Sequence, residues 1–72
     1  MNIDEAKALA EKGYKITHRF FHPDEYIGIN KSGEVYTENP NEAPVPWEWF
    51  MESRKRLAWM TDWEIWTPRR DK

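Results

Sequence analysis

The sequence predicts a small α+β domain, in which an antiparallel sheet of about four strands packs on an N-terminal helix and a second short helix precedes the last strand. Three observations predict this fold class. Apolar residues first recur at helical spacing, the spacing then changes to two in three successive segments, and a second helical segment comes before one more alternating segment. The predicted element order is therefore α-β-β-β-α-β.

The first helix is predicted over residues 3–12. Asn2 stands at the N-cap and Glu5 follows three residues later, which is the pattern of a capping box. Gly13 stands where a glycine commonly ends a helix. A narrow apolar stripe at helical spacing consists of Ile3, Ala6, Leu9 and Ala10.

Three segments after that helix alternate with the period of a strand. They are residues 14–20, 26–30 and 34–38. Pro23 sets φ in the turn over 21–25, and Gly33 is free to adopt positive φ in the hairpin over 31–33. One side of the first strand carries Tyr14, Ile16, His18 and Phe20.

The alternation also assigns side chains of the middle strands to the two faces of the sheet. Ile27, Ile29 and Val35 are expected to face the core. Tyr26 and Tyr36 then share the opposite face.

Residues 39–46 contain three prolines and are predicted to form a stiff linker. Pro46 suits the first position of the second helix. One side of a helical wheel drawn from there carries Trp47, Phe50, Met51, Leu57 and Ala58. Arg54 lies between these residues, whereas Trp49 projects almost oppositely, on the side of Arg56.

Residues 62–66 alternate as the last strand. If Trp63 and Ile65 point inward, Trp66 points outward.

The length of 72 residues fits one domain, with an ordered core over about residues 3–67 and a frayed polar tail over 68–72. A chain of this size buries only roughly 60% of the surface that its unfolded form exposes. Without cysteine there are no disulfides to stabilise it. We therefore expect a dense aromatic core or self-association, and a homo-oligomer is the expected state.

The composition excludes several classes of protein. The 11 Lys and Arg residues against 13 Asp and Glu residues give a net charge of −2, without the basic surplus of a general nucleic-acid binder. No apolar run approaches the roughly 20 residues of a membrane span, and the first residues lack the pattern of a signal peptide. We therefore expect a cytoplasmic protein that does not enter a membrane.

No pattern in the sequence predicts catalysis, a metal or a cofactor. Ser32 and Ser53 lie in a hairpin tip and on a helix, without the base and orienting group that a nucleophile needs. His18 and His22 are four residues apart, but the chain runs there from a strand into a proline turn, so the two rings need not converge. We expect His18 to be packed and hydrogen-bonded, and His22 to be exposed.

The aromatic side chains are the strongest functional signal, with five Trp, three Tyr and three Phe. The expected core members are Phe20, Trp47, Phe50 and Trp63. Five others are harder to bury together in a small domain: Tyr26, Tyr36, Trp49, Trp59 and Trp66. A contiguous exposed set would mark either a subunit contact or a ligand groove, where stacking on a nucleobase typically contributes about 1–3 kcal/mol per base. The basic run over 54–56 is either a solvated helix end or a phosphate contact beside Trp49.

The chain resembles a family of small phage proteins of the Thoeris anti-defence type. Residues 3–9 (IDEAKAL) and 13–19 (GYKITHR) are similar to the family's opening pattern EAL…GKKV.R..W, and residues 61–65 (TDWEI) are similar to its ending DDWEI. Residues 26–29 (YIGI), followed by a glycine turn, resemble the family's strand pair. The resemblance covers about residues 3–66.

The resemblance implies that the chain binds a cyclic nucleotide signal of the cyclic ADP-ribose type, which bacterial immune TIR proteins make. It would do so as an oligomer, without degrading the signal and without a cofactor, in the cytoplasm of the infected bacterium. Some relatives inhibit CRISPR systems instead. The alternative is therefore a protein–protein inhibitor that binds a host defence protein through exposed Trp and Arg side chains.

The resemblance and the aromatic pattern together select seven candidate site residues. Phe21 and Trp49 are expected to stack on the ligand, and Arg19 and Arg56 to lie near phosphate. The other three are Tyr26, Tyr36 and Trp66.

Three features depart from the family pattern. His18 stands where the family has arginine, Phe21 stands where it has tryptophan, and the segment over 39–46 is shorter. Either Trp47 or Trp49 matches a further family tryptophan.

Overall fold

The computed structural model describes residues 1–68. Its elements are α1 (Ile3–Glu11), β1 (Ile16–His18), β2 (Ile27–Ile29), β3 (Glu34–Thr37), β4 (Val45–Pro46), α2 (Trp47–Glu52), a 3-10 turn (Leu57–Trp59) and β5 (Trp63–Ile65). The predicted α+β class is confirmed, with five strands instead of about four. Of the tail predicted to fray, residues 69–72 lie outside the described residues.

Helix α1 begins at the predicted residue and ends at Glu11, one residue before the predicted end. The Asn2 side chain accepts a hydrogen bond from the Glu5 N–H at 2.8 Å, and the Glu5 carboxylate accepts one from the Asn2 N–H at 3.0 Å. These two bonds complete the capping box. The helix is followed by Gly13 at a φ of 106°, a conformation that glycine adopts without steric cost.

The sheet has the strand order β4-β3-β2-β1-β5, and all neighbouring strands are antiparallel. The face that we call the packed face carries the buried side chains Ile16, His18, Ile27, Ile29, Val35 and Trp63. Helix α1 covers this face with Ala6 and Ala10, which are fully buried, and α2 contributes Phe50. The predicted core positions in β2 and β3 are therefore confirmed.

The opposite side of the sheet, which we call the open face, is not covered by either helix of residues 1–68. By register, Gly28 pairs with Tyr36 and Thr17 pairs with Glu64 on this face. The ladder continues past β5, because the Trp66 N–H donates to the Lys15 carbonyl at 2.8 Å. Tyr26 and Tyr36 therefore share a face, as predicted, and Trp66 joins them.

The first strand is shorter than the predicted 14–20, and the expected core position of Phe20 is wrong. The Phe20 N–H donates to His18 Nδ1 at 3.1 Å, and the Phe21 N–H donates to the His18 carbonyl at 2.9 Å. These bonds turn the chain directly after β1. As a result the Phe20 side chain is 60% exposed, and Tyr14, before the strand, is also exposed.

The predicted linker 39–46 ends in a strand. Val45 pairs with Val35, and Pro46 pairs with Glu34, which makes β4 an edge strand. An edge position tolerates proline because one side of the strand makes no ladder bonds. Helix α2 consequently begins at Trp47, and Pro46 is its N-cap instead of its predicted first residue.

The second helix ends at Glu52, so the wheel drawn to residue 58 is wrong in its last part. The Arg54 side chain donates from Nη1 to the Phe50 carbonyl at 2.9 Å and satisfies a carbonyl of the last turn. Beyond this point the helical period no longer applies. Leu57 is 86% exposed and Ala58 is also exposed, so their predicted place on the side of Trp47 and Phe50 is wrong.

In β5 the inward position of Trp63 is confirmed, since only 1% of it is exposed. Ile65 has the same parity but remains exposed, because β5 is the edge of the sheet. Neither helix within residues 1–68 reaches the length and apolar character that crossing a bilayer requires.

Candidate functional site

His18 is a structural residue at the centre of the packed face. Its Nε2 lies 2.8 Å from the carbonyl oxygens of both Ala58 and Thr61, and its Nδ1 accepts from the Phe20 N–H. Nε2 therefore carries the ring hydrogen, and both nitrogens are engaged. His18 is packed and hydrogen-bonded and His22 is exposed, as predicted. No cluster of three potential metal ligands occurs within residues 1–68.

A groove runs between the outer part of the packed face and helix α2, and we call it the α2 groove. It consists of two adjoining cavities of about 170 Å³ and 450 Å³. Both are lined by Thr37, Glu42, Phe50 and Arg54. The smaller cavity extends towards Phe21 and Tyr26, and the larger one extends towards Val45 and Trp49. The two residues that the sequence selects for stacking thus line the two cavities of one groove.

Phe21 and Trp49 differ in how firmly they are held. The Phe21 ring is half-buried, with its centroid 5.7 Å from that of Trp63 and 5.9 Å from that of Trp59. Trp49 is 73% exposed, as the helical wheel predicts for this residue. Phe21 is a fixed wall of the smaller cavity, whereas Trp49 offers most of its ring surface to a ligand.

Arg54 lies where the two cavities meet. Its guanidinium carbon is 4.2 Å from the centroid of the Phe50 ring and 5.3 Å from that of the Trp59 ring. Its Nε is buried and has no hydrogen-bond partner within residues 1–68. Burial lowers the pKa of the guanidinium, and the nearby Glu25 carboxylate opposes that shift. Arg54 is not among the seven residues selected from the sequence, although an arginine inside an apolar wheel stripe is a usable signal.

Carboxylates line the smaller cavity. Glu38 accepts a hydrogen bond from the Tyr26 N–H at 3.3 Å, and Glu42 accepts one from the Thr37 hydroxyl at 2.9 Å. Each carboxylate keeps acceptor capacity beyond these bonds. Glu25 also lines the smaller cavity, and Glu42 lines both. The groove therefore combines aromatic surface, carboxylates concentrated in the smaller cavity and a guanidinium where the two cavities meet.

Tyr26 and Trp66 form a tilted ring pair on the open face, with 43° between the ring planes. Their ring centroids are 4.4 Å apart, and the Trp66 Nε1–H donates to the Pro23 carbonyl at 3.0 Å. The Lys15 ammonium lies 5.2 Å from the centroid of the Tyr26 ring. This pair therefore lies across β1 and already binds one cation of its own chain.

Tyr36 lies flat on the same face, over Gly28. A Cβ at position 28 would collide with the Oη end of the Tyr36 ring. Glycine is required here because of this close approach. The open face thus presents ring surfaces along the sheet, where most antiparallel sheets present polar side chains to water.

The two arginines expected near phosphate are not among the residues that line the α2 groove. Arg19 Nη1 lies 3.5 Å from the Asp62 carboxylate, and its guanidinium carbon is 5.7 Å from the Phe20 ring centroid. Arg56 is exposed and precedes the 3-10 turn. The seven candidate residues therefore divide among the α2 groove, the open face and two exposed positions.

Comparisons of the chain with models of known families, with curated proteins and with solved structures found no match. A functional proposal therefore depends on the geometry of the α2 groove and the open face, together with the resemblance of the opening and ending motifs.

Proposed function

We propose that this chain is a phage-encoded inhibitor of bacterial immunity that binds a cyclic nucleotide signal and sequesters it unchanged. One observation carries the proposal. The α2 groove has an aromatic wall in each cavity, at Phe21 and Trp49, with the Arg54 guanidinium between them. The proposal agrees with the phage family that the chain resembles, and it places the protein in the cytoplasm of the infected bacterium.

The larger cavity supports stacking of a base. Its volume of about 450 Å³ falls within the roughly 300–1,000 Å³ that small-molecule sites occupy. Trp49 is the wall that a base would cover, and such stacking contributes about 1–3 kcal/mol. Val45 and Phe50 also line this cavity and provide apolar contact.

The polar groups of the groove fit the rest of a nucleotide. Glu38 and Glu42 can accept hydrogen bonds from ribose hydroxyls. The Arg54 guanidinium already donates from Nη1 to the Phe50 carbonyl, and its remaining terminal N–H groups can donate to a phosphate. Among the described lining residues of the two cavities, Arg54 is the one cation, so we place phosphate beside it and ribose towards the smaller cavity. With few phosphate contacts, the affinity should depend only weakly on salt.

The test is calorimetric titration of the protein with cyclic ADP-ribose isomers, with cyclic dinucleotides as a second panel. We expect one member to bind and to be recovered intact after the protein is denatured. Arg54→Met should weaken that binding, and Arg56→Met is the matched control. Failure of every ligand to bind would overturn the proposal, and so would recovery of a hydrolysed product. An equal loss in both variants would overturn the role of Arg54.

We also propose that the protein self-associates, because a chain of this size is marginal alone. Native mass spectrometry and small-angle scattering across a concentration series measure the number of copies. A monomer at every concentration, with intact ligand binding, would contradict self-association alone.

The second candidate is a protein–protein inhibitor that binds a host defence protein directly. It is favoured by the large apolar side chains in water, since Phe20, Trp49 and Leu57 are all strongly exposed. Interface hot spots are enriched in Trp and Arg. Tight binding to a purified defence protein such as a CRISPR effector, without binding to any cyclic nucleotide, would favour this function over sequestration.

A further inference from the structure

The two cavities of the α2 groove differ in charge. The charged residues that line the smaller cavity are one guanidinium, from Arg54, and three carboxylates, from Glu25, Glu38 and Glu42. The larger cavity is lined by one charge of each sign, from Glu42 and Arg54. Negative charge is therefore concentrated at one end of the groove.

Glu25 acts on Arg54 through its charge without forming an ion pair with it. Burial lowers the pKa of the Arg54 guanidinium, and the Glu25 carboxylate raises it. Glu25 is held by a neutral donor, since its carboxylate accepts a hydrogen bond from the His22 N–H in the turn before β2. Among residues 1–68, no carboxylate of the smaller cavity belongs to an ion pair. A second cation, Lys15, has its ammonium 5.2 Å from the centroid of the Tyr26 ring but does not line the cavity.

From this arrangement we infer that Glu25 determines the specificity of the α2 groove by excluding nucleotides that end in a phosphate, such as ATP. A terminal phosphate carries a charge of about −1.5 to −2 at pH 7, whereas ring closure leaves only diester phosphates, which ionise once. The inference rests on the proposed binding of a cyclic nucleotide and names the nucleotides that the same groove rejects.

One guanidinium can compensate the charge of a diester but not that of a polyphosphate tail. Arg54 already uses Nη1 on the Phe50 carbonyl. A tail that extends from Arg54 into the smaller cavity meets Glu25 and the other two carboxylates, and like charges placed against a wrong ligand are a general source of specificity. Ribose hydroxyls donate hydrogen bonds to the same carboxylates. The smaller cavity therefore accepts a sugar and repels a phosphate.

The experiment titrates the unaltered protein and Glu25→Gln with AMP, ADP and ATP in the presence of EDTA. Nuclear magnetic resonance follows the titrations, because it measures weak affinities. Glutamine keeps an acceptor oxygen for the His22 N–H and removes only the charge. We expect the affinity of the unaltered protein to fall from AMP to ATP, and Glu25→Gln to bind ATP about fivefold or more tightly. This gain should shrink as salt is raised, because Glu25 is exposed.

Glu48→Gln is the matched control. It removes the same charge at an exposed position on α2 that lines neither cavity of the groove. It should change the affinity for ATP by less than about twofold. Glu25→Gln should gain less affinity for a cyclic nucleotide than for ATP, because a diester brings less charge to the cavity. Thermal unfolding confirms that both variants fold.

Several results would overturn the inference. Among them are equal ATP affinities of Glu25→Gln and the unaltered protein, and an equal gain in Glu48→Gln, which would show a diffuse charge effect. Binding of ATP by the unaltered protein when Mg²⁺ replaces EDTA would show that the carboxylates recruit a metal-bound tail instead of excluding it.

The outcome is separable from that of the proposed function, because the ATP titrations need no cyclic nucleotide. A cyclic nucleotide that binds, with no gain of ATP affinity in Glu25→Gln, would reject the inference alone. A gain of ATP affinity in Glu25→Gln, with no cyclic nucleotide bound by the unaltered protein, would reject the proposed sequestration and keep the role of Glu25.

Discussion

Trp63 and Trp66 lie three residues apart at the same edge of the sheet, and the two faces treat them differently. Each indole N–H is satisfied by a carbonyl, from Trp59 at 2.9 Å for Trp63 and from Pro23 at 3.0 Å for Trp66. Trp63 is enclosed by the packed face, whereas Trp66 is covered by Tyr26 on an otherwise open face. The same residue type is therefore fully enclosed on one face and only half-buried on the other.

The largest effect is expected from truncating the enclosed tryptophan. Trp63→Ala should lower the free energy of unfolding by about 3–5 kcal/mol, because it leaves a cavity in the packed face. Trp66→Ala removes a ring pair and should cost only about 1 kcal/mol. Urea denaturation followed by circular dichroism measures both. Equal losses would remove the distinction between the two faces.

His18→Leu should have the next largest effect. It keeps an apolar side chain in the packed face but leaves the carbonyls of Ala58 and Thr61 without their donor. A buried polar group that loses its partner costs about 1–3 kcal/mol. The measurement is again the free energy of unfolding, with His22→Leu as the exposed control. No loss in His18→Leu would show that the ring packs without holding the segment over 58–61.

A smaller effect is expected on the open face. Gly28→Ala should displace the Tyr36 ring and cost about 1 kcal/mol, because the new Cβ occupies the space of that ring. The cost should fall in the double variant with Tyr36→Ala, which a double-mutant cycle measures. Additive losses would show that Tyr36 does not lie over Gly28 in solution.

The sequence predicts those parts of the fold that are determined by residues close together in the chain. The bounds of α1 follow from Asn2, Glu5 and Gly13, which act within one turn of the helix ends. β4 was not predicted, because a two-residue strand exists only through pairing with β3. The end of α2 was not predicted either, and there the Arg54 side chain donates to the Phe50 carbonyl, a contact that helical spacing does not indicate.

Among the candidate site residues, too, only those placed by neighbouring residues in the chain were predicted. The exposure of Trp49 was predicted because it lies within α2, where the helical wheel applies. The wheel does not hold beyond Glu52, so Arg56 was placed beside Trp49 on a period that the chain no longer follows. Arg54 was missed because its place depends on rings from two separate elements, Phe50 and Trp59.

The central claim is that exposed aromatic side chains of this chain serve binding more than folding, and Trp49 tests it most directly. The measurement is calorimetric titration of Trp49→Ala with the cyclic nucleotide that binds the unaltered protein, beside Phe20→Ala as a matched exposed control. We predict that Trp49→Ala loses binding by about tenfold or more while its thermal midpoint stays near that of the unaltered protein, and that Phe20→Ala keeps its affinity. Retained affinity in Trp49→Ala, or a large drop in its thermal midpoint, would contradict the account.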